Sequence, residues 1–558
     1  MQPRTPINLL LIALSYIILI ILVNPIGDFP INDDWAYARS VLSLVENGEF
    51  HLLGWGAMTL VSQVVWGALW VKLFGFSFDV LRFSTILLGF VALTGCYYLL
   101  LSLSKETWIA VTGTFVLMVN PLFIVLANSF MTDVPFLALS VWSVFFLLRA
   151  IEQDSISDLM LGMCFAITAL LLRQIALVLP LAFLFGYAAR FNLTMSIKRF
   201  TVCVSPFAVS SIIYIGYLKW LKLNDNLPHA MTWSQDRLNT NFLGLFDGEY
   251  ADLVFYIGSA GSMLLYLGLF SIPMMLALYI RCGDKVFLGI NKTSFWIISG
   301  ILLSFITFAL LANHVSMPVR GNLLTSYGIG PFTLRDVYSL KLPHLDSIPQ
   351  GILQFITALS VLGGILLVHG LVMMLRGLLQ NRPRGLREIP VAHWHEIFLW
   401  ILMAAYITPL VLTDYFDRYL LFLLPFLFAL VSMRKNVIHR ENPTFLKLIS
   451  LLLIPVFGLF SVGLAHDYMS WNRTRMYATN WVKNEHQLDH DSIDSGFEFN
   501  GFYGYDPRYD NDQAKWVRDD KYVIAFGDVP AYDMEKHFSV KRLMPIGPRE
   551  IIVLRRSD

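Results

Sequence analysis

Charge is scarce in this 558-residue chain: Asp, Glu, Lys and Arg make up 15% of it, the net charge is +1 and the pI is about 7.7. No basic excess is left to follow a phosphate backbone, which excludes nucleic acid as a partner. Cysteine is scarce too. Cys96, Cys164, Cys203 and Cys282 stand singly in or beside apolar stretches, without a CxxC pair or a Cys/His cluster of metal-ligand spacing. That excludes a secreted disulfide scaffold and reads them as small core residues. Fixed-period repeats and low-complexity segments are missing as well. What abounds is apolar: 56% hydrophobic residues, 14% aromatic, mean hydropathy +0.60, more than one soluble core can hide. The chain reads as a polytopic membrane protein.

A span needs roughly 20 apolar residues. The first run, Ile7–Val23, follows Arg4, ends at Asn24-Pro25 and lacks an AxA-like cleavage site, so it reads as a retained span rather than a signal peptide. Further runs lie near 80–103, 107–128, 134–150, 156–172, 175–189, 201–221, 252–280, 294–312, 351–375, 394–412, 419–433 and 445–465, about thirteen in all. Alternate loops carry Arg4, Lys105, Arg149, then Arg190, Lys198 and Arg199, while the intervening ones hold Asp28, Asp33, Asp34, Asp133, Asp414 and Asp417. Lys and Arg are retained on the cytoplasmic side, so the N-terminus is expected inside and the C-terminus outside. Residues 52–76 are apolar enough to cross, yet a span there would reverse every later loop. With Trp55, Trp66 and Trp70 they are expected along the outer interface, inside a large first outer loop covering 24–79. After about residue 466 the composition turns polar. KYVIAF (521–526) and REIIVLRR (549–556) have the β-branched character of strands, so 467–558 is expected to be a small α+β unit outside the membrane, following an all-α transmembrane domain over 1–466.

Three motifs carry chemistry. In FPINDDWAYARSVLSLVENGEF (29–50), Asp33 and Asp34 precede a helix-like run with Trp35, Ala38, Val41, Leu42 and Val45 on one face. A carboxylate there serves either as a helix N-cap or as a general base or cation ligand at the membrane edge. In NSFMTDVPF (128–136), Asp133 stands just ahead of an early-helix proline, again a capping position, on the same expected face. In DRYLLFLLPFLFAL (417–430), Arg418 and Tyr419 stand at the outer end of a run, and Arg173 in LLRQIALVLP (171–180) breaks an apolar stretch of about 35 residues where an outer turn is needed. Guanidinium groups bind phosphate oxygens through paired donors, although an interfacial Arg also serves as a simple anchor.

Taken together, NDDWAYA (32–38), WVKLFGFSFDVLRFST (70–85), NPLFIVLANSFMTDVPF (120–136), LLRQ (171–174) and DRYLLFLLP (417–425) resemble the GT-C superfamily of polytopic glycosyltransferases. The resemblance is to its dolichyl-phosphate-mannose-protein mannosyltransferase-like group, which includes the bacterial aminoarabinose transferase of lipid A. It implies a sugar donor on a polyprenyl phosphate and a catalytic Asp in the first outer loop. By that match Asp33 is the general base, Asp34 stands where relatives often have Glu, and the second-loop acid is Asp133. Relatives have a Lys-Pro-Pro element after the first acidic motif, whereas this chain has LLGWGAMTL (52–60). Arg173, Arg418 and Tyr419 are therefore the expected donor-phosphate contacts. Hydroxyl attack on an anomeric carbon needs a base and positive charge for the leaving phosphate, and a single displacement inverts that carbon. Mg²⁺ or Mn²⁺ on Asp33, Asp34 or Asp133 is left open, since carboxylates suit both ions and relatives differ.

The expected acceptor is a glycolipid, a polysaccharide or a protein hydroxyl, and the expected location the bacterial plasma membrane, among whose lipids the chain would sit. A secondary transporter would place ionisable groups or broken helices near the midplane, and the charges here gather at the ends of runs. A non-catalytic scaffold using 467–558 for binding is the third reading.

Overall fold

The computed structural model describes residues 5–191, 196–247, 250–282, 316–380, 393–433, 444–508 and 515–557. Among them, eight helices are long and apolar enough to cross a membrane: Thr5–Val23, Phe78–Ser104, Asp133–Gln153, Ile197–Leu223, Val254–Leu278, Gln350–Val372, Trp394–Thr413 and Leu451–His486. A ninth span forms if Thr107–Met118 and Pro121–Ala127, bent by 67°, are taken together. The bend has a local cause. Pro121 has no N–H to give the preceding turn, and Asn120 restarts the helix by accepting from the N–H groups of Leu122 (2.9 Å) and Phe123 (3.4 Å).

The expected count of about thirteen spans is not reached among the described residues, because several apolar runs break before they are long enough. Residues 156–172 form the 15-residue helix Ile156–Leu170, and 175–189 a 3-10 turn followed by the 13-residue helix Val178–Arg190. The run 419–433 opens as a 3-10 turn, Asp417–Phe422, before the short helix Leu423–Ser432. The run 294–312 lies outside the described residues. Apolar composition measures the environment of a segment, not the continuity of its backbone.

Residues 51–60 are irregular and lead into the helix Val61–Phe74, whose 14 residues extend about 21 Å, short of the roughly 30 Å hydrocarbon layer. It packs on the neighbouring helices Asp34–Leu42 and Phe78–Ser104 at Gly67, where an added Cβ would lie 2.7 Å from Val41 and Phe130 and 3.3 Å from Leu81. Its other face exposes Val65, Leu69, Leu73 and Phe74. Arg82, on the helix Phe78–Ser104, gathers the start of the same loop: its guanidinium donates to the carbonyls of Pro25 (2.6 Å), Gly27 (2.9 Å) and Phe29 (2.8 Å). Asp28 fastens that loop again by accepting from the Phe78 N–H at 2.8 Å.

Two strands, β1 (Leu324–Thr325) and β2 (Gly328–Ile329), form a small hairpin. The C-terminal part builds a four-stranded sheet from β3 (Ile493–Asp494), β4 (Tyr522–Ala525), β5 (Tyr532–Ser539) and β6 (Glu550–Arg556), in the order β3-β4-β6-β5. Only β3 and β4 are parallel, and the strands expected in KYVIAF and REIIVLRR are β4 and β6. The helix Thr444–His486 continues through the compositional change near residue 466 and carries the chain into this unit. The helix Phe497–Gly504 then packs on Asp34–Leu42, so closely that a Cβ on Gly501 would lie 2.6 Å from the Trp35 ring.

Candidate active site

Four charged side chains from distant parts of the chain meet at one end of the bundle. Asp33 closes the irregular stretch before the helix Asp34–Leu42, and Asp133 opens the helix Asp133–Gln153. Arg173 follows the break after Ile156–Leu170, and Arg418 lies in the 3-10 turn Asp417–Phe422. Arg418 Nη2 donates to Asp33 Oδ2 at 2.9 Å. Arg173 donates from Nε to Thr132 Oγ1 at 2.9 Å and brings Nη2 within 2.9 Å of Asp133 Oδ1. That ion pair falls short of hydrogen-bond geometry, so both Asp133 oxygens lack a donor among the described residues.

Both guanidinium groups lie beside the Tyr419 ring, Arg173 at 5.4 Å and Arg418 at 5.5 Å from its centroid. The expected phosphate contacts thus form one group with the two carboxylates. Arg418 is buried, and its Nε and Nη1 donors have no hydrogen-bond acceptor among the described residues. A buried donor without an acceptor is costly, and a charged one more so. Asp33 is the more open of the acids, with 20% of its side chain exposed against 3% for Asp133.

The backbone of the Arg418 turn is fixed by its neighbour. Asp417 accepts from the N–H groups of Leu323 and Leu324, at 3.1 and 2.7 Å, and so ties the loop carrying the β1–β2 hairpin to this end of the bundle. Burial pushes the Asp417 carboxyl up to about 6 against the pull of these N–H groups. Asn32, next to Asp33, donates to Asn322 Oδ1 at 3.0 Å on the same loop.

Asp34 points elsewhere. Its oxygens accept from the N–H groups of Ile31 (2.7 Å) and Phe130 (3.2 Å), stitching the first acidic loop to the second. Burial pushes its carboxyl up to about 7, opposed by those N–H groups and by the charge of Arg82. The folded protein therefore holds this proton more tightly than the unfolded chain, whose Asp titrates near ~4. The contribution to stability is full below about 4 and is lost as pH rises through about 7. Thermal melts of wild type and Asp34→Asn between pH 5.5 and 8.5 should accordingly diverge, wild type losing more stability as pH rises. Parallel curves would reject this coupling.

Of the carboxylates on which Mg²⁺ or Mn²⁺ is left open, Asp34 turns away from Asp33 and Asp133 to the N–H groups of Ile31 and Phe130. Among the described residues no group of three or more His, Cys, Asp or Glu side chains comes together, and Asp33 and Asp133 each face an arginine instead.

One residue of the site escaped the sequence. Trp55 donates its indole N–H to Asp33 Oδ1 at 3.0 Å, from the stretch where this chain departs from the Lys-Pro-Pro pattern. Nothing in its sequence setting distinguishes it from an interfacial tryptophan. On the loops near 222–251 and 313–350, Arg320 pairs with Asp414, Asp336 with His344, and Arg335 with Asp520.

Two crystal structures of ArnT from Cupriavidus metallidurans resemble this chain over 98% of its length and 97% of theirs. The one bound to undecaprenyl phosphate is 12% identical with a TM-score of 0.39, and the apo one 13% identical with a TM-score of 0.40. No curated protein matches. A family model matches residues 65–220, a segment that includes Asp133 and Arg173 but neither Asp33 nor Arg418. The model that matches this segment is described as dolichyl-phosphate-mannose-protein mannosyltransferase.

Proposed function

We propose that this chain is a membrane glycosyltransferase that moves a sugar from a polyprenyl-phosphate donor to an acceptor hydroxyl at the outer face of a bacterial plasma membrane, its N-terminus cytoplasmic. The observation that carries the reading is Arg418. One guanidinium edge holds Asp33, while Nε and Nη1 lie buried without an acceptor beside Tyr419 and Arg173. A phosphate placed there would be met by two cations next to a carboxylate that is open enough to reach an acceptor.

The chemistry follows from that arrangement. The acceptor oxygen attacks the anomeric carbon, and its proton passes to Asp33. The bond from that carbon to the phosphate oxygen breaks, and the polyprenyl phosphate leaves carrying the electron pair and the negative charge. A single displacement inverts the anomeric carbon. Asp33 already accepts from Arg418 and Trp55, yet a carboxylate has about four lone-pair sites, which leaves room for the acceptor O–H. Asp133 acts through Arg173, holding its charge beside Tyr419. The sugar and the choice among glycolipid, polysaccharide and protein acceptors are set by parts of the site these four groups do not define.

The test is transfer of radiolabelled sugar from a panel of polyprenyl-phosphate donors by purified protein in lipid nanodiscs, with and without EDTA. Wild type should transfer from at least one donor. Arg418→Gln should raise the donor KM and lower kcat together, since the lost charge serves the bound phosphate and the leaving phosphate alike. The EDTA arm reads the metal directly: a loss of transfer restored by Mg²⁺ or Mn²⁺ would assign the ion, and equal transfer would leave the phosphate to Arg418 and Arg173. Failure with every donor would overturn the reading.

A further inference from the structure

Trp55 stands between the acidic loop and the C-terminal unit. Its N–H meets Asp33 Oδ1 at 3.0 Å, while its ring packs on Phe497 and Trp516, both with centroids at 5.5 Å, and on Trp35 at 6.1 Å. Tyr505 closes the cluster, 5.5 Å from Trp35 and 5.1 Å from Trp516. Three of these five rings, those of Phe497, Tyr505 and Trp516, come from the C-terminal unit. The segment bearing Trp55 is also fixed from the other side: Asn226 accepts from the Leu52 N–H at 2.8 Å and donates to the Phe50 carbonyl at 2.7 Å, and the Gly54 carbonyl accepts from the Ala230 N–H at 3.2 Å.

A carboxylate on an irregular stretch turns freely about its side-chain bonds unless both of its oxygens are held. Arg418 holds Oδ2 of Asp33, and Trp55 holds Oδ1. From this we infer that Trp55 is a positioning residue for Asp33, and that the C-terminal unit serves the site by walling the Trp55 ring in place. The inference rests on the reading of Asp33 as the base. A catalytic group must be kept within about 0.5 Å of its working position by neighbours that are themselves packed, and this aromatic cluster supplies such packing.

Trp55→Phe removes the N–H donor while keeping a smaller aromatic ring against Phe497 and Trp516. In nanodiscs, kcat should fall about 10- to 100-fold, the order of loss that misplacing a reacting group brings. The KM for donor and acceptor should stay close to wild type. A purely structural tryptophan would instead lower stability and active fraction without this split. The contact has its own readout, the ¹⁵N-indole resonance of Trp55, assigned by its loss in Trp55→Phe. In Asp33→Ala it should move toward the position of a free indole. Wild-type kcat in Trp55→Phe, or an unmoved resonance in Asp33→Ala, would overturn the inference. Absence of transfer by wild type from any donor would instead remove the base reading, while the resonance still decides whether Trp55 holds Asp33.

Discussion

Asp33→Asn should lower sugar transfer by about 10²–10⁴-fold, the range typical of losing a general base, while the protein still folds and binds donor. The replacement is nearly isosteric. Its amide oxygen still accepts from Arg418 or Trp55, so the ring cluster and the Arg418 turn keep their supports, while the group that takes the acceptor's proton is gone. Asp133→Asn should behave differently. Asp133 is almost closed to solvent and faces Arg173, so its loss removes a counter-charge from a buried guanidinium and should raise donor KM more than it lowers kcat. Equal kcat losses in the two variants, each with unchanged KM, would mean that Asp133 also touches the reacting atoms. Undiminished transfer by Asp33→Asn would remove Asp33 as the base.

The members of this site were legible one by one, because Asp, Arg and Thr interrupting apolar runs are conspicuous and costly. Their common face followed from the charge alternation, but which acid meets which arginine did not. Asp33 and Arg418 are 385 residues apart, and no local periodicity reports such a contact. The family resemblance singles out Asp33, but capping position and helix pattern alone do not separate it from its neighbour: a turn of one residue sends Asp34 to the Phe130 N–H and leaves Asp33 to Arg418 and Trp55. That residues 52–76 hold no helix of spanning length was readable, because the charge alternation of the flanking loops argued against a span there. The span count was not, since a run such as 419–433 gives no sign that it opens in a 3-10 turn that carries Arg418. The strands β4 and β6 showed in their β-branched runs, but the attachment of their unit to the acidic loop is tertiary throughout.

That attachment has a buried ionic centre, and breaking it should produce the largest loss of stability in the chain. Arg475 and Glu498 are both essentially inaccessible, and Arg475 Nη1 donates to Glu498 Oε2 at 2.7 Å. Thr333 Oγ1 donates to the same oxygen at 2.5 Å, and Arg475 Nη2 reaches the Pro30 carbonyl at 3.2 Å, three residues before Asp33. One guanidinium therefore joins the long helix Thr444–His486, the C-terminal helix Phe497–Gly504 and the acidic loop. Arg475→Met removes the cation and strands a buried carboxylate, which should cost about 3–5 kcal/mol. The thermal midpoint should drop, and protease should reach the C-terminal unit at temperatures where wild type resists. Adding Glu498→Leu removes the stranded charge, so the double variant should recover most of the loss. Its Pro30 contact remains missing, however, and the acidic loop stays untethered. Stability should thus return without full activity, separating what the pair does for the fold from what it does for Asp33. A single variant as stable as wild type, or a double variant with both properties restored, would show that this pair does not govern the loop.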